Sequence, residues 1–112
     1  MTHRNLNLLD AAERAAEQIN NLIDRSPPRH LLHVGQMRDS AQSIRANISE
    51  GFGREPGPDR AHRLVIARGE AEETISHLSS NLRARRIGQK EYWPLRNLLV
   101  VIVRMLNSLL NS

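Results

Sequence analysis

Leu98-Leu99-Val100-Val101-Ile102-Val103 is the longest unbroken apolar run in the chain, and its reading decides the fold. Val100 to Val103 are β-branched, which taken alone suits a strand. A strand must pair, however, and no second segment of strand character exists to receive it. Outward from the run, Leu95, Leu98, Ile102, Met105 and Leu109 recur at steps of three and four, which lays them along one side of a helix. A helix is therefore expected over about residues 89–111. Its six consecutive apolar residues cover the whole circumference, and a helix that is apolar all round needs burial on more than one side. The expected second partner is another copy of the chain, with Leu99, Val100, Val101 and Val103 at the contact. Pro94, near the start, is expected to bend this helix or to delay it by a turn.

Three joints divide the rest. Ser26-Pro27-Pro28, Glu55-Pro56-Gly57-Pro58 and Ile87-Gly88 carry the prolines and glycines that interrupt a helical ladder. Between them lie segments at about 5–25, 31–52 and 58–86. The first carries Leu6, Leu9, Ala12, Ala16, Ile19 and Ile23 at helical spacing. The second carries Val34, Met37, Ala41, Ile44 and Ile48, and the third Ala61, Leu64, Ala67, Ala71, Ile75, Leu78 and Leu82. Pro58 suits a first helical turn, where a missing N–H costs nothing. Four amphipathic helices on short connections pack up-down-up-down. The fold class read here is all-α, one antiparallel four-helix bundle over residues 1–112, self-assembling.

Composition narrows the function classes. With 112 residues, 39% of them apolar but only Phe52, Tyr92 and Trp93 aromatic, the core must be built from Leu, Ile, Val, Ala and Met. There is no cysteine, which excludes disulfides and thiolate metal sites and is compatible with the cytoplasm, the expected location. The six-residue run falls far short of the ~20 residues that span a bilayer, so no membrane association is expected. Fifteen of sixteen basic residues are Arg, and the formal charge is +4. Arginine keeps its charge and presents a flat fork of donors that fits phosphate or carboxylate, so RNA or DNA is an expected partner.

Beside the apolar stripe of the second helix runs a polar ridge, Gln36, Ser40, Ser43, Asn47, Glu50 and Arg54, again at steps of four and three. It has two readings: a seam whose polar groups satisfy one another inside the bundle, or a face offered to a partner. In this region the chain resembles a known family. Gln36-Met37-Arg38-Asp39-Ser40-Ala41 leading to Ala46-Asn47-Ile48-Ser49-Glu50-Gly51-Phe52-Gly53-Arg54, with Arg63 to Glu73 as a second stretch, is similar to the bacterial four-helix-bundle proteins encoded in intervening sequences of large-subunit ribosomal RNA genes. The accessory variability determinant of diversity-generating retroelements is similar in architecture. The resemblance covers essentially the whole chain. It implies a bundle that assembles as a ring, often of five subunits. In the retroelement branch it implies a charged ring that binds nucleic acid and a reverse transcriptase. The residues matching the signature here are Arg38, Ser40, Ser43, Asn47, Glu50, Gly51, Arg54 and Glu73. Glu70 and Ile75 depart from the family pattern.

Basic residues gather in two places. Arg83, Arg85, Arg86 and Lys90 lie at the third joint, and Arg54, Arg60, Arg63 and Arg68 surround the Gly53–Pro58 loop. Both clusters are candidates for holding nucleic acid through its phosphates, although arginines at a helix C-terminus are also what the helix dipole favours. So few aromatics argue against base stacking. Catalytic and metal patterns are absent. His3, His30, His33, His62 and His77 form neither H-E-x-x-H nor the repeated Glu-x-x-His of di-iron bundles, and Gly51-Phe52-Gly53 lacks the lysine of a phosphate loop. No catalytic residue, metal ligand or cofactor is expected. The two functions left are an oligomeric nucleic-acid-binding accessory protein and a structural or adaptor ring that docks a protein partner.

Overall fold

The computed structural model describes residues 2–112, which form α1 (His3–Asp24), α2 (Val34–Phe52), α3 (Pro58–Arg83) and α4 (Gln89–Leu110). The helices form a square, α1 against α2 and α4, and α3 against α2 and α4, with no diagonal pairing. This is the up-down-up-down bundle expected, about 43 Å long and 21 by 19 Å across.

Local chemistry sets the helix ends. Thr2 caps α1, its hydroxyl accepting the Asn5 N–H at 3.1 Å. Pro58 opens α3 behind Gly57, whose φ of 155° belongs to glycine. The second helix starts at Val34, three residues later than the pattern suggested, because His33 turns left-handed (φ 57°) and Leu31–His33 are drawn onto α3. At the other end of α3, Arg85 is left-handed (φ 59°) and breaks the helix after Arg83, short of the expected Arg86. Pro94 does not delay the start of α4. The helix runs from Gln89, and the Tyr92 N–H already bonds the Gly88 carbonyl at 3.0 Å.

The core keeps Ala12, Ala16, Ile19 and Ile23 of the expected α1 stripe and Leu95 and Ile102 of the α4 stripe, but takes Leu8 for Leu9, Leu99 for Leu98 and Leu106 for Met105. On α1 the fully buried side is Leu8, Ala12, Ala15 and Ile19, while Leu6 is 53% exposed. On α4 it is Leu99, Ile102 and Leu106, whereas Leu98, Met105 and Leu109 only flank it. Leu99, expected at a contact between copies, lies wholly in the chain's own core. It has no surface left to offer a neighbour. Val101 is exposed, and Val100 and Val103 are half-buried. By length and composition α4 is apolar enough to be a candidate membrane span, with mean hydropathy 1.2. In this fold Tyr92, Leu95, Leu99, Ile102 and Leu106 of that helix are buried in the bundle.

Helices α2 and α3 approach closely at Gly51, and the small residues Ala41, Ala67 and Ala71 of these helices are buried. A Cβ at Gly51 would meet Arg63 Cβ at 3.3 Å and Leu64 Cδ2 at 3.2 Å. Among the described residues the buried polar ones are Ser40, Asn47, Thr74 and Asn81, and they lie on these two helices. Thr74 donates its hydroxyl to the Glu70 carbonyl at 2.8 Å, and the Ser40 and Thr74 hydroxyls meet across the seam at 2.7 Å. Each burial is matched by a partner, as a low-dielectric interior requires.

Candidate nucleic-acid interface

The polar ridge of α2 lies along α3. Ser40 meets Thr74, and Asn47 donates to the Ser43 carbonyl and hydroxyl at 2.9 and 3.0 Å. Glu50 pairs with Arg63 at 3.0 Å, and Arg63 also reaches Asn47 Oδ1 at 3.4 Å. Arg38 leaves the ridge and ties α2 to α1, donating to Asn20 Oδ1 and Asp24 Oδ1, both at 2.9 Å. Gln36 and Asp39 line a shallow groove with Ser40, Ser43, Glu70 and Glu73. Most of the ridge thus has partners within the bundle.

That groove is acidic. Partial burial, and next the charge of Glu73, push the Glu70 carboxyl above its usual range. Glu73 in turn lies 3.4 Å from His77 Nε2. A carboxyl whose proton affinity is higher folded than unfolded penalises the folded state once ionised. The penalty is absent at acid pH and sets in as pH rises through the folded value. Glu70→Gln is therefore expected to raise the urea midpoint at pH 7, with the gain fading towards pH 4. An equal gain at both pH values would show that charge is not the cause.

The two basic clusters differ in how far they are engaged. Around the Gly53–Pro58 loop, Arg60 folds over the C-terminus of α2. It donates through Nε to the carbonyls of Gly51 and Arg54, both at 3.1 Å, and through Nη2 to that of Phe52 at 3.4 Å. Its guanidinium also lies 5.8 Å from the Phe52 ring centre. Those carbonyls are the negative end of the helix, so Arg60 acts as a cap. Arg63 is held by Glu50, and Arg68 donates to Asn107 Oδ1 at 2.8 Å. Only Arg54 of this group is exposed without a side-chain partner among the described residues.

The opposite pole is different. An up-down bundle returns its first and third joints to the same end, so Arg25 and Arg29 join Arg83, Arg85, Arg86 and Lys90 there. All six are exposed, and among the described residues none is in a salt bridge. The pole is built from two joints locked together. His30 Nε2 bonds the Arg86 carbonyl at 2.7 Å, and Asn81 receives the Leu32 N–H on Oδ1 at 2.8 Å while donating Nδ2 to the Leu32 carbonyl at 3.0 Å. Arg29, His33 and Arg85, the described non-glycine residues of positive φ, all lie in these joints. Each costs about 1 kcal/mol over an ordinary conformation. Of the nearest acids, Asp24 is bound to Arg38, and Glu91 folds back on Gly88, where a Cβ would meet its Oε2 at 3.3 Å. The residue-by-residue pattern did not single out Arg25 and Arg29. The topology did, since joints one and three must share an end.

Among the described residues no group of three or more metal-ligating side chains converges. No curated protein matches the chain. A solved structure of a protein of unknown function from the S23 ribosomal protein family of Bacteroides thetaiotaomicron is similar throughout. It shares 26% identity over 97% of this chain and 99% of that one, with a TM-score of 0.90. The family model for the 23S rRNA-intervening sequence protein matches residues 4–108. With four helices in the same arrangement over nearly their full length, the chain belongs to the 23S rRNA-intervening sequence protein family.

Proposed function

We propose that this protein is a non-enzymatic, self-assembling helical bundle that holds nucleic acid by its phosphates through the pole formed by the 25–33 and 83–90 joints. One observation carries the reading. Six exposed cations meet at one end with no salt bridge among the described residues, while the arginines near the other end are mostly engaged within the fold. Cations without internal partners can replace the counterions that surround a phosphate chain, and release of those counterions drives binding.

Self-assembly is supported by α4, where Val101 is 44% exposed and Val100 and Val103 are half-buried. Closed cyclic assembly repeats one environment in every copy. If the bundle axes run along the symmetry axis, all the basic poles face one rim. Several weak contacts then act on one strand at raised effective concentration. The ring of five implied by the family resemblance is the expected form.

The experiment is binding to a nucleic acid over a range of salt. Affinity is expected to fall steeply as salt rises. Neutralising Arg83, Arg85 and Arg86 to Gln together is expected to flatten the slope of log K against log salt by about 2, at roughly 0.7 per lost contact to a single strand. Binding that is insensitive to salt, or a slope unchanged in the triple variant, would exclude the pole.

A further inference from the structure

The only tryptophan of the chain stands at the edge of the basic pole. Trp93 is 45% exposed, whereas Phe52 is half-buried and Tyr92 buried. It lies one turn into α4, about 6 Å along the axis from Gln89. Lys90 is three residues before it and Arg96 three after, so cation, indole and cation share one side of the helix. The ring is held in place. Tyr92 meets it edge-on, with centres 5.1 Å apart and planes at 81°, and the Arg96 guanidinium lies 5.5 Å from its centre. Tyr92 is itself anchored, its hydroxyl 3.1 Å from Ser79 Oγ.

From Lys90, and lined by neither Trp93 nor Arg96, a groove of about 190 Å³ opens between α1 and α4. Gln18 and Asn21 line it with the cations Arg25 and Lys90, and the carboxylate of Glu91 lines it as well. Side-chain amides are donors and acceptors of the kind that meet base edges, and the cations suit the phosphates on either side. A fixed, exposed indole between cations is what an unpaired base stacks on. A duplex, whose bases are already stacked on one another, gains nothing from it.

We propose that the pole binds single-stranded nucleic acid, with one unpaired base stacked on Trp93 and the flanking phosphates on Lys90, Arg96 and the joint arginines. This rests on the polyanion reading of the pole and goes further, by naming the form of the ligand. It also departs from the expectation that so few aromatics argue against stacking, because one well-placed ring suffices for one base. Val101, the exposed apolar residue expected between copies, lies about 12 Å further along the same helix.

A single tryptophan makes the test direct, since with excitation at the red edge, where Tyr92 scarcely absorbs, the emission reports on this ring. The full chain is titrated at low salt with an oligothymidylate of about 15 nucleotides, with a duplex of the same length, and with heparin, a polyanion without bases. Binding is followed independently by anisotropy of labelled ligand. Oligothymidylate is expected to quench the emission and to bind more tightly than duplex, while heparin binds without quenching. Trp93→Ala is expected to weaken oligothymidylate about tenfold and to leave heparin unchanged, and Trp93→Phe to retain most of the affinity. Circular dichroism confirms that both variants fold. Heparin and oligothymidylate binding with no change in emission, or equally tight oligothymidylate binding by Trp93→Ala, overturns the stacking and leaves the pole. Failure of all three ligands to bind overturns both. Emission of the free protein that acrylamide cannot quench overturns the stacking too, because the ring would then be covered in the assembly.

Discussion

Asn81→Leu is expected to lower the unfolding free energy by about 2–3 kcal/mol, read as a fall in the urea midpoint with an unchanged slope. Leucine shares asparagine's branched outline but is bulkier, so the loss combines unmade hydrogen bonds with some overpacking of a fully buried site. The amide of Asn81 is fully buried and bonds both polar groups of Leu32, much as a second peptide would. It also donates to the His77 carbonyl one turn back, at 2.9 Å. Replacing it strands the Leu32 N–H and carbonyl in a part-buried site, and each stranded group costs about 1 kcal/mol or more. Because that contact holds the first joint against α3, the variant should also loosen the pole. Hydrogen exchange should rise first over residues 25–33. A variant as stable as the parent would mean that the joint is held by other contacts.

The second large effect separates two neighbouring residues of α4. Leu99→Glu is expected to abolish the fold, because its side chain is wholly out of water and an unpaired carboxylate there costs several kcal/mol. Even Leu99→Ala should cost about 2–5 kcal/mol. Val101→Glu, at a site 44% exposed, should keep its helical circular dichroism and change only the mass measured by sedimentation. A folded Leu99→Glu would move the core of α4 to another face. A Val101→Glu variant that stays assembled would remove this part of α4 from the contact between copies.

These two residues also mark how far the sequence could be read. Helix number, order and approximate ends follow from spacing and from the Pro and Gly joints. The phase of α4 does not. In Leu98 to Val103 every position is apolar, so the rule of three and four fits the stripe through Leu98 as well as the stripe through Leu99. Only packing against α1 and α3 chooses between them. Asn81 left a fainter trace. Ala67, Ala71, Thr74, Leu78 and Asn81 continue the core stripe of α3 at steps of four and three, with two polar members. A polar residue on a core stripe needs a partner, but spacing along one helix cannot name it, since Ser40 and Leu32 lie far off in sequence.

The basic clusters teach a similar lesson about charge. Arg60, Arg63 and Arg68 look in sequence like Arg83, Arg85 and Arg86. What distinguishes them is whether an acceptor within the fold lies in reach. The carbonyls ending α2, with Glu50 and Asn107, take up the first set, while the second projects from the end of the bundle where acids are few. Engaged arginines stabilise the fold, and unengaged ones are left for a ligand.

The most direct test is amide chemical-shift mapping of the isotopically labelled protein as nucleic acid is added at low salt. Nucleic acid held at the pole is expected to shift residues 18–33 and 83–97, with little change over 50–68. Shifts centred on the Gly53–Pro58 loop and the start of α3, with the pole undisturbed, would contradict that placement.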